Sequence, residues 1–506
     1  MPAIFDTSPC EPCPQKFNLA EYVLSRADEL SEKVALSILS SENPENWTYG
    51  DLKAAVLGTA NGLLEAGLKP GDTLMLRLGN TVDFPIAYLA AIAVGIHPIP
   101  LSSQLTMDEL QKLCLEVSPS AACIDPDLGF PQSDNVIQIL LSDLKSIRNL
   151  TPAKFQIGAC DRLAYLVFTS GTSGSPKVVM HAHRAIWARR MMFRDWYDLR
   201  EDDRLFHAGA FNWTYTLGTG LLDPWTLGAT ALILGEEASP EKIPSFLAKH
   251  GATIFAASPG VYRKLVRLCD FPGLPKLRHG LSAGEKLSDN LGALWRKKTS
   301  TKIYEAFGMS ECSTFISSSP KSEAKMGTLG RPQNGRRVAI LPHSFGEKPL
   351  EFHETGIIAV DQTDPGLMLG YLGAGTSSDN NFRGSWFLTG DLGQMARDGS
   401  ITYMGRNDDI ITAGGYRISP IEIEAHLQSH PKIQMVAVKD IEIKEDTRII
   451  TAFYTADAAI DDSMLKKFAA EKLARYKQPR LFVYCDSLPV GLNGKLLRKN
   501  LTLAKG

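Results

Sequence analysis

At 506 residues the chain is too long for one ordinary hydrophobic core, so two or more domains are expected. Apolar residues make up 44% and charged residues 22%, which argues against disorder, and a net charge of -2 argues against a dedicated nucleic-acid surface. Eight cysteines scattered over the full length do not form the dense framework of a small secreted domain.

No basic stretch followed by an apolar one opens the chain, so no signal peptide is read and a cytoplasmic location is expected. Cys10 and Cys13 form a C-x-x-C, but no second pair or nearby histidine completes a zinc site. Leucines and alanines at helical spacing predict a helix over 49–68, stopped by Lys69-Pro-Gly-Asp. The run 73–78 reads as a strand and 84–94 as a buried helix. The uncharged stretch 84–101 nears the length of a membrane span, yet Gly95, Pro98 and Pro100 break it. Strands follow at 121–124 and 163–169, so the fold class is α/β, with layers and partly parallel sheets. From 327 to 360, short strands punctuated by Gly, Pro and Asn predict a small β-rich subdomain. Another α/β unit begins after Arg406: helix 420–427, strands 434–438 and 451–454, helix 463–475. A boundary near Asn407–Asp409 gives a large N-terminal domain (1–407) and a smaller C-terminal one (408–506).

The most informative segment is Leu166-Val-Phe-Thr-Ser-Gly-Thr-Ser-Gly-Ser-Pro-Lys177. An apolar strand runs into hydroxyls and glycines and ends on a lysine. Gly171 and Gly174 let backbone N–H groups turn toward an anion. Thr169, Ser170, Thr172 and Ser173 add hydroxyl donors, and Lys177 adds a charge. The common NTPase loop, G-x-x-x-x-G-K-[ST], is not matched, because no hydroxyl follows Lys177.

This loop resembles the signature of the adenylate-forming superfamily: acyl-CoA synthetases, luciferases and peptide-synthetase adenylation domains. Val178 stands where that family usually has Gly. Further motifs follow in the family's order. Ser282-Ala283-Gly284-Glu285 resembles its adenine-pocket turn. Tyr304-Glu-Ala-Phe307-Gly308-Met309-Ser310-Glu311 resembles the segment that stacks on adenine, contacts phosphate and ligates Mg²⁺. Trp386-Phe-Leu-Thr-Gly-Asp391 resembles the ribose motif. Gly405-Arg406-Asn-Asp408-Asp409 resembles the interdomain hinge, with Arg406 near the ribose and Asp408 as pivot. The block from Ile411 to Pro420, with Glu422 and Glu424, continues it. Asn493-Gly-Lys495-Leu-Leu-Arg498 resembles the loop carrying the catalytic lysine, with Gly491 where Thr is usual.

The resemblance implies two half-reactions at one site: carboxylate attack on ATP to give acyl-AMP and pyrophosphate, then transfer to a thiol. It makes Lys495 and Glu311 catalytic, with Glu311 on Mg²⁺. It makes Gly414, Gly415 and Tyr416 the lining of a CoA tunnel, brought in when a mobile C-terminal domain rotates. ATP, CoA and a carboxylic acid are the implied partners. A stand-alone enzyme that loads a carrier protein is the alternative acceptor reading, and a homodimer stays open. For the acid, spacing from Gly228 puts the family's gate position on Trp213 rather than on Phe206-His207. Tyr215 and Leu217 follow it, and Ser282 and Ala306 are small enough to leave room for a ring. The stretch 212–220 looks most like benzoate–CoA ligases and medium-chain acyl-CoA synthetases. No cation stands in these pocket segments, which favours an aromatic, alicyclic or medium-chain monoacid. One reading of another class uses Gly280-Leu-Ser282-Ala-Gly284 as a G-x-S-x-G nucleophile elbow with His430 downstream, a serine hydrolase.

Overall fold

A computed structural model describes residues 1–7, 10–40, 43–133, 135–169, 177–235, 239–373, 381–413, 416–444, 447–491 and 496–503. Within these, the side chains of 412, 413, 416, 417, 444 and 447 are not described. The expected helix forms over Tyr49–Glu65, where Thr48 and Asp51 close a capping box that satisfies the first free amides. The apolar run forms the helix Asp83–Ala93, buried along its whole length, and Gly95 ends it in a left-handed turn. It packs beside four parallel strands in the order His97–Pro100, Thr73–Arg77, Ala121–Ile124 and Ile137–Leu140. Among the described residues no helix is long and apolar enough to cross a membrane.

A nine-stranded sheet forms the centre. Six of its strands run parallel: Val34–Leu39, Thr230–Leu234, Arg204–His207, Ile254–Ala257, His279–Ala283 and Ile303–Met309. Ligands of such sheets gather at the carboxyl ends of the strands, and those ends carry the motifs described above. Two π-helical turns, Phe193–Tyr197 and Thr216–Leu222, cover one face, and nothing in the helical periodicity distinguishes them from α-helix.

The expected β-rich part is an antiparallel sheet that includes Val338–Leu341, Gly356–Asp361, Trp386–Met395 and Ile401–Arg406. A short 3₁₀ turn, Asn407–Asp409, follows it directly. Beyond that turn, Pro420–Leu427 and Asp462–Lys472 pack on the strands Met435–Lys444, Thr447–Thr455 and Leu481–Tyr484. Ile423, Leu427, Val438, Ala452 and Leu465 build a core of their own there.

Candidate active site

The phosphate segment is a hairpin: Leu163–Thr169 pairs antiparallel with Lys177–Ala182, Thr169 opposite Lys177, and Thr169 Oγ1 bonds the Lys177 carbonyl at 3.4 Å. Ser170, Gly171, Thr172, Ser173 and Gly174 lie outside the described residues. Val178 is buried beside Leu166 and Ile99, so the departure from Gly fills a core position next to the exposed Lys177. A third strand, Gly370–Tyr371, adds to this hairpin with Tyr371 opposite Val179.

That strand joins the hairpin to the Glu311 turn. The Tyr371 hydroxyl donates to Glu311 Oε1 at 2.8 Å, and Lys177 Nζ sits 4.7 Å from the Tyr371 ring centroid. Two further bonds fix the turn: Met368 N–H to the Glu311 carbonyl at 2.8 Å, and His181 Nε2 to the Ser310 carbonyl at 2.7 Å. Burial pushes His181 down to about 4, so a neutral imidazole donates that bond from Nε2. Burial, reinforced by the Glu311 carboxylate, pushes the Tyr371 phenol up. The bulge at Gly308 requires glycine, since a Cβ there would lie 2.2 Å from the Ser313 carbonyl. Ser313, in the left-handed region, accepts from the buried Arg189 at 2.6 Å. Arg189 is itself held by Asp223 at 2.6 and 2.8 Å and by Tyr197 and Thr219.

The nucleoside motifs meet through Tyr403. Its ring lies 5.4 Å from that of Phe307, and its hydroxyl donates to Asp391 Oδ1 at 3.0 Å. Strand pairing sets Asp391 opposite Arg406, whose Nη1 bonds Asp391 Oδ2 at 3.3 Å while Nε reaches Asp408 at 3.3 Å. Gly284, at φ +96°, turns the adenine-motif loop, and a Cβ there would lie 2.9 Å from the Trp213 ring. Met309 closes its strand opposite Ser313, and Glu285 lies within the field of Arg263.

The pocket expectation divides. Trp213, Tyr215, Ala283 and Ala306 share one apolar cluster with Leu281, and Trp213 meets Tyr215 edge-on at 5.1 Å. Ser282 does not join them. Ala283 stands beside Ala306 and Ser282 beside Glu305, so strand alternation turns Ser282 to the opposite face. Leu217 packs into a different core with Leu221 and Trp225. The hydrolase reading is corrected as well. Ser282 lies within the strand His279–Ala283, fully buried, its Oγ without a hydrogen bond, while His430 belongs to the core that follows Asp409. Among the described residues no base bonds that hydroxyl.

Past the turn Asn407–Asp409, Arg498 binds Glu424 at 2.5 and 3.2 Å and Asp409 at 3.3 Å, tying the chain after residue 495 to the expected hinge segment. Lys495, Gly414 and Gly415 lie outside the described residues, and of Tyr416 only the backbone pairing with Ala413 is described. Tyr371, Tyr403 and His181 were not singled out from sequence. Their aromatic character beside known motifs was the one available signal.

A divalent cation can be tested against this donor set. Among the described residues no group of three or more His, Cys, Asp or Glu could hold a metal. Mg²⁺ does not need such a cage, since it takes one or two carboxylates plus substrate phosphates and water. Glu311, with one oxygen occupied by Tyr371 and Lys177 nearby for phosphate, fits that demand.

Family models match the chain as AMP-binding enzyme over residues 24–372 and as AMP-binding enzyme C-terminal domain over residues 422–495. It is 30% identical over 487 residues to the 4-hydroxybenzoate–CoA/benzoate–CoA ligase of Rhodopseudomonas palustris, covering 89% of this chain and 88% of the relative. It is 27% identical over 527 residues to the mitochondrial acyl-coenzyme A synthetase ACSM3 of Mus musculus, covering 96% and 90%. A crystal structure of a benzoate CoA ligase from Burkholderia xenovorans shares the fold, with a TM-score of 0.86, 24% identity and 96% and 99% coverage. Strand order, motif placement and these matches together place the chain in the family of AMP-binding, adenylate-forming enzymes, to which it belongs.

Proposed function

We propose that the protein joins an apolar aromatic, alicyclic or medium-chain monocarboxylic acid to CoA. It is an ATP-dependent acid–thiol ligase that forms an acyl-AMP intermediate and then an acyl-CoA. The observation that carries the site reading is Tyr403, which brings Phe307 of the adenine motif and Asp391 of the ribose motif together beside the hinge.

A carboxylate is a poor acyl donor because its leaving group would be oxide, and AMP supplies a stable one. Two anions must meet in the first step, so the protein's task is alignment and charge neutralisation. Phe307 stacks on the base, Asp391 accepts from ribose hydroxyls and Lys177 receives phosphate oxygens. Glu311 is the residue to hold Mg²⁺, which when bound would neutralise the departing pyrophosphate. Lys495 bridges the incoming carboxylate and the α-phosphate. For the thioester step the domain from Asp408 onward turns and presents Gly414, Gly415 and Tyr416 to the pantetheine arm. The boundary at 407/408 is supported by the separate core beyond Asp409 and by family matches ending at 372 and resuming at 422. The acid lies against Trp213, Tyr215, Leu281, Ala283 and Ala306, an apolar wall.

Acid-dependent ATP–pyrophosphate exchange tests the reading. AMP, pyrophosphate and, with CoA present, a thioester are expected. ADP and phosphate would overturn it, because attack would then be at the γ-phosphate.

A further inference from the structure

We infer that Tyr371 is a positioning residue for adenylation, holding the cation-binding carboxylate of Glu311 and the phosphate-binding ammonium of Lys177 in register through one side chain. The inference rests on the adenylation reading above, which gives Glu311 and Lys177 their ligands.

Glu311 and Lys177 lie 134 positions apart, Lys177 opening a strand of the hairpin and Glu311 in the turn between two strands of the central sheet, and neither contacts the other in a hydrogen bond or ion pair among the described residues. What connects them is the two-residue strand Gly370–Tyr371. Its pairing with the hairpin, Val179 opposite Tyr371 and Met180 opposite Gly370, fixes the Tyr371 backbone against the strand that starts at Lys177. Flanking bonds from Leu369 N–H to Met180 O and from Leu372 N–H to Val178 O, at 2.8 and 2.9 Å, hold it on both sides.

From this anchored position the two parts of the side chain act separately. The hydroxyl donates to Glu311 Oε1 at 2.8 Å, which orients the carboxylate and leaves its other oxygen to a cation. The ring face meets Lys177 Nζ at 4.7 Å, within the range of a cation–π contact. A cation and a carboxylate that must both engage one triphosphate are thereby preset before it arrives, and less freedom is lost on binding.

The two parts can be removed one at a time in the full-length protein. Tyr371→Phe keeps the ring and loses the hydroxyl; Tyr371→Leu loses both. Calorimetric titration with ATP, in excess Mg²⁺ and again with EDTA, reads binding without turnover. Tyr371→Phe should weaken MgATP binding on the order of tenfold, the size expected for a hydrogen bond to a charged group, and leave metal-free ATP unchanged. Tyr371→Leu should also weaken metal-free ATP by about threefold, as the ring contact is lost. In a Glu311→Gln background, Tyr371→Phe should add less than about twofold, because the two groups act as a unit. Parental MgATP binding by Tyr371→Phe, equal loss with and without Mg²⁺, or full additivity with Glu311→Gln would each overturn the inference. If the parent protein shows no acid-dependent pyrophosphate exchange, the adenylation reading itself has failed, an outcome separate from these.

Discussion

Tyr403 donates its hydroxyl to Asp391 at 3.0 Å from the strand Ile401–Arg406, which runs directly into the turn Asn407–Asp409, so one aromatic side chain orients the carboxylate proposed to bind ribose. Removing the hydroxyl leaves the ring against Phe307 but takes this one bond from Asp391. Tyr403→Phe should therefore raise the KM for ATP by about tenfold, with a smaller effect on the acid. Steady-state pyrophosphate release with each substrate varied checks this. Equal KM for ATP in variant and parent would show that Asp391 needs no help in orienting.

Asp223 is fully buried and holds the guanidinium of Arg189, which in turn reaches Ser313 behind the Glu311 turn. Asp223→Ala strands a buried positive charge and should cost about 3–5 kcal/mol of stability. Replacing both partners, Arg189→Met with Asp223→Leu, should recover much of that loss. Urea midpoints of the single and double variants measure it. A double variant no more stable than Asp223→Ala would mean that the network is held by Tyr197 and Thr219 instead.

Burial raises the Glu305 carboxyl to about 7, against a bond from Leu287 N–H that favours the ionised form. The folded pKa thus exceeds the unfolded one, and the folded state binds the proton more tightly. This contribution to stability is full below the unfolded carboxylate pKa and is lost as pH rises through about 7. Denaturation midpoints should fall between pH 5 and pH 8 for the parent, by more than for Glu305→Gln, which cannot ionise. Identical pH slopes would place the Glu305 titration elsewhere.

Local order was legible in the sequence where the signal is local. The strand 121–124 and the helix 420–427 form with the expected bounds because apolar runs and flanking breakers sit within a few residues. The motifs that point to the family were legible one by one, and the family they point to is the one the chain belongs to. The partners of those motifs were not legible, because Tyr371 reaches Glu311 across 60 positions and only the tertiary pairing of Gly370–Tyr371 brings it there. Ser282 and Ala306 look equivalent as small residues beside motifs. Strand register separates them, and register with a remote strand leaves no trace in composition.

The apolar cluster at Trp213 and Tyr215 sets an expected substrate order. Benzoate or cyclohexanecarboxylate should outperform acetate and long-chain fatty acids, since burying a ring contributes on the order of 2 kcal/mol, over tenfold in kcat/KM. Trp213→Ala should narrow that difference by opening the wall. A flat profile, or a preferred acid with a second carboxylate, would show that these side chains do not line the acyl site.

Lys495 and Asp408 should separate the two half-reactions. Lys495 is assigned to the charge that builds on the α-phosphate, so Lys495→Ala should slow adenylation by several orders of magnitude. Thioester formation from supplied acyl-AMP and CoA should largely survive, because Gly414, Gly415 and Tyr416 are proposed to serve that step. Asp408 lies in the turn Asn407–Asp409, between Arg406, which bonds both Asp391 and Asp408, and Asp409, which bonds Arg498. The proposed nucleotide site and the segment after Lys495 are thus linked through the turn Asn407–Asp409 and Arg406. Proline restricts φ at this point and holds the hinge in the state that tolerates it. Asp408→Pro is expected to keep adenylation and lose thioester formation, since the proposed pivot changes its backbone angles between the steps. Both rates and the thermal melt should be taken on the same purified variant. A normal melt with parental rates in both half-reactions would move the pivot away from Asp408.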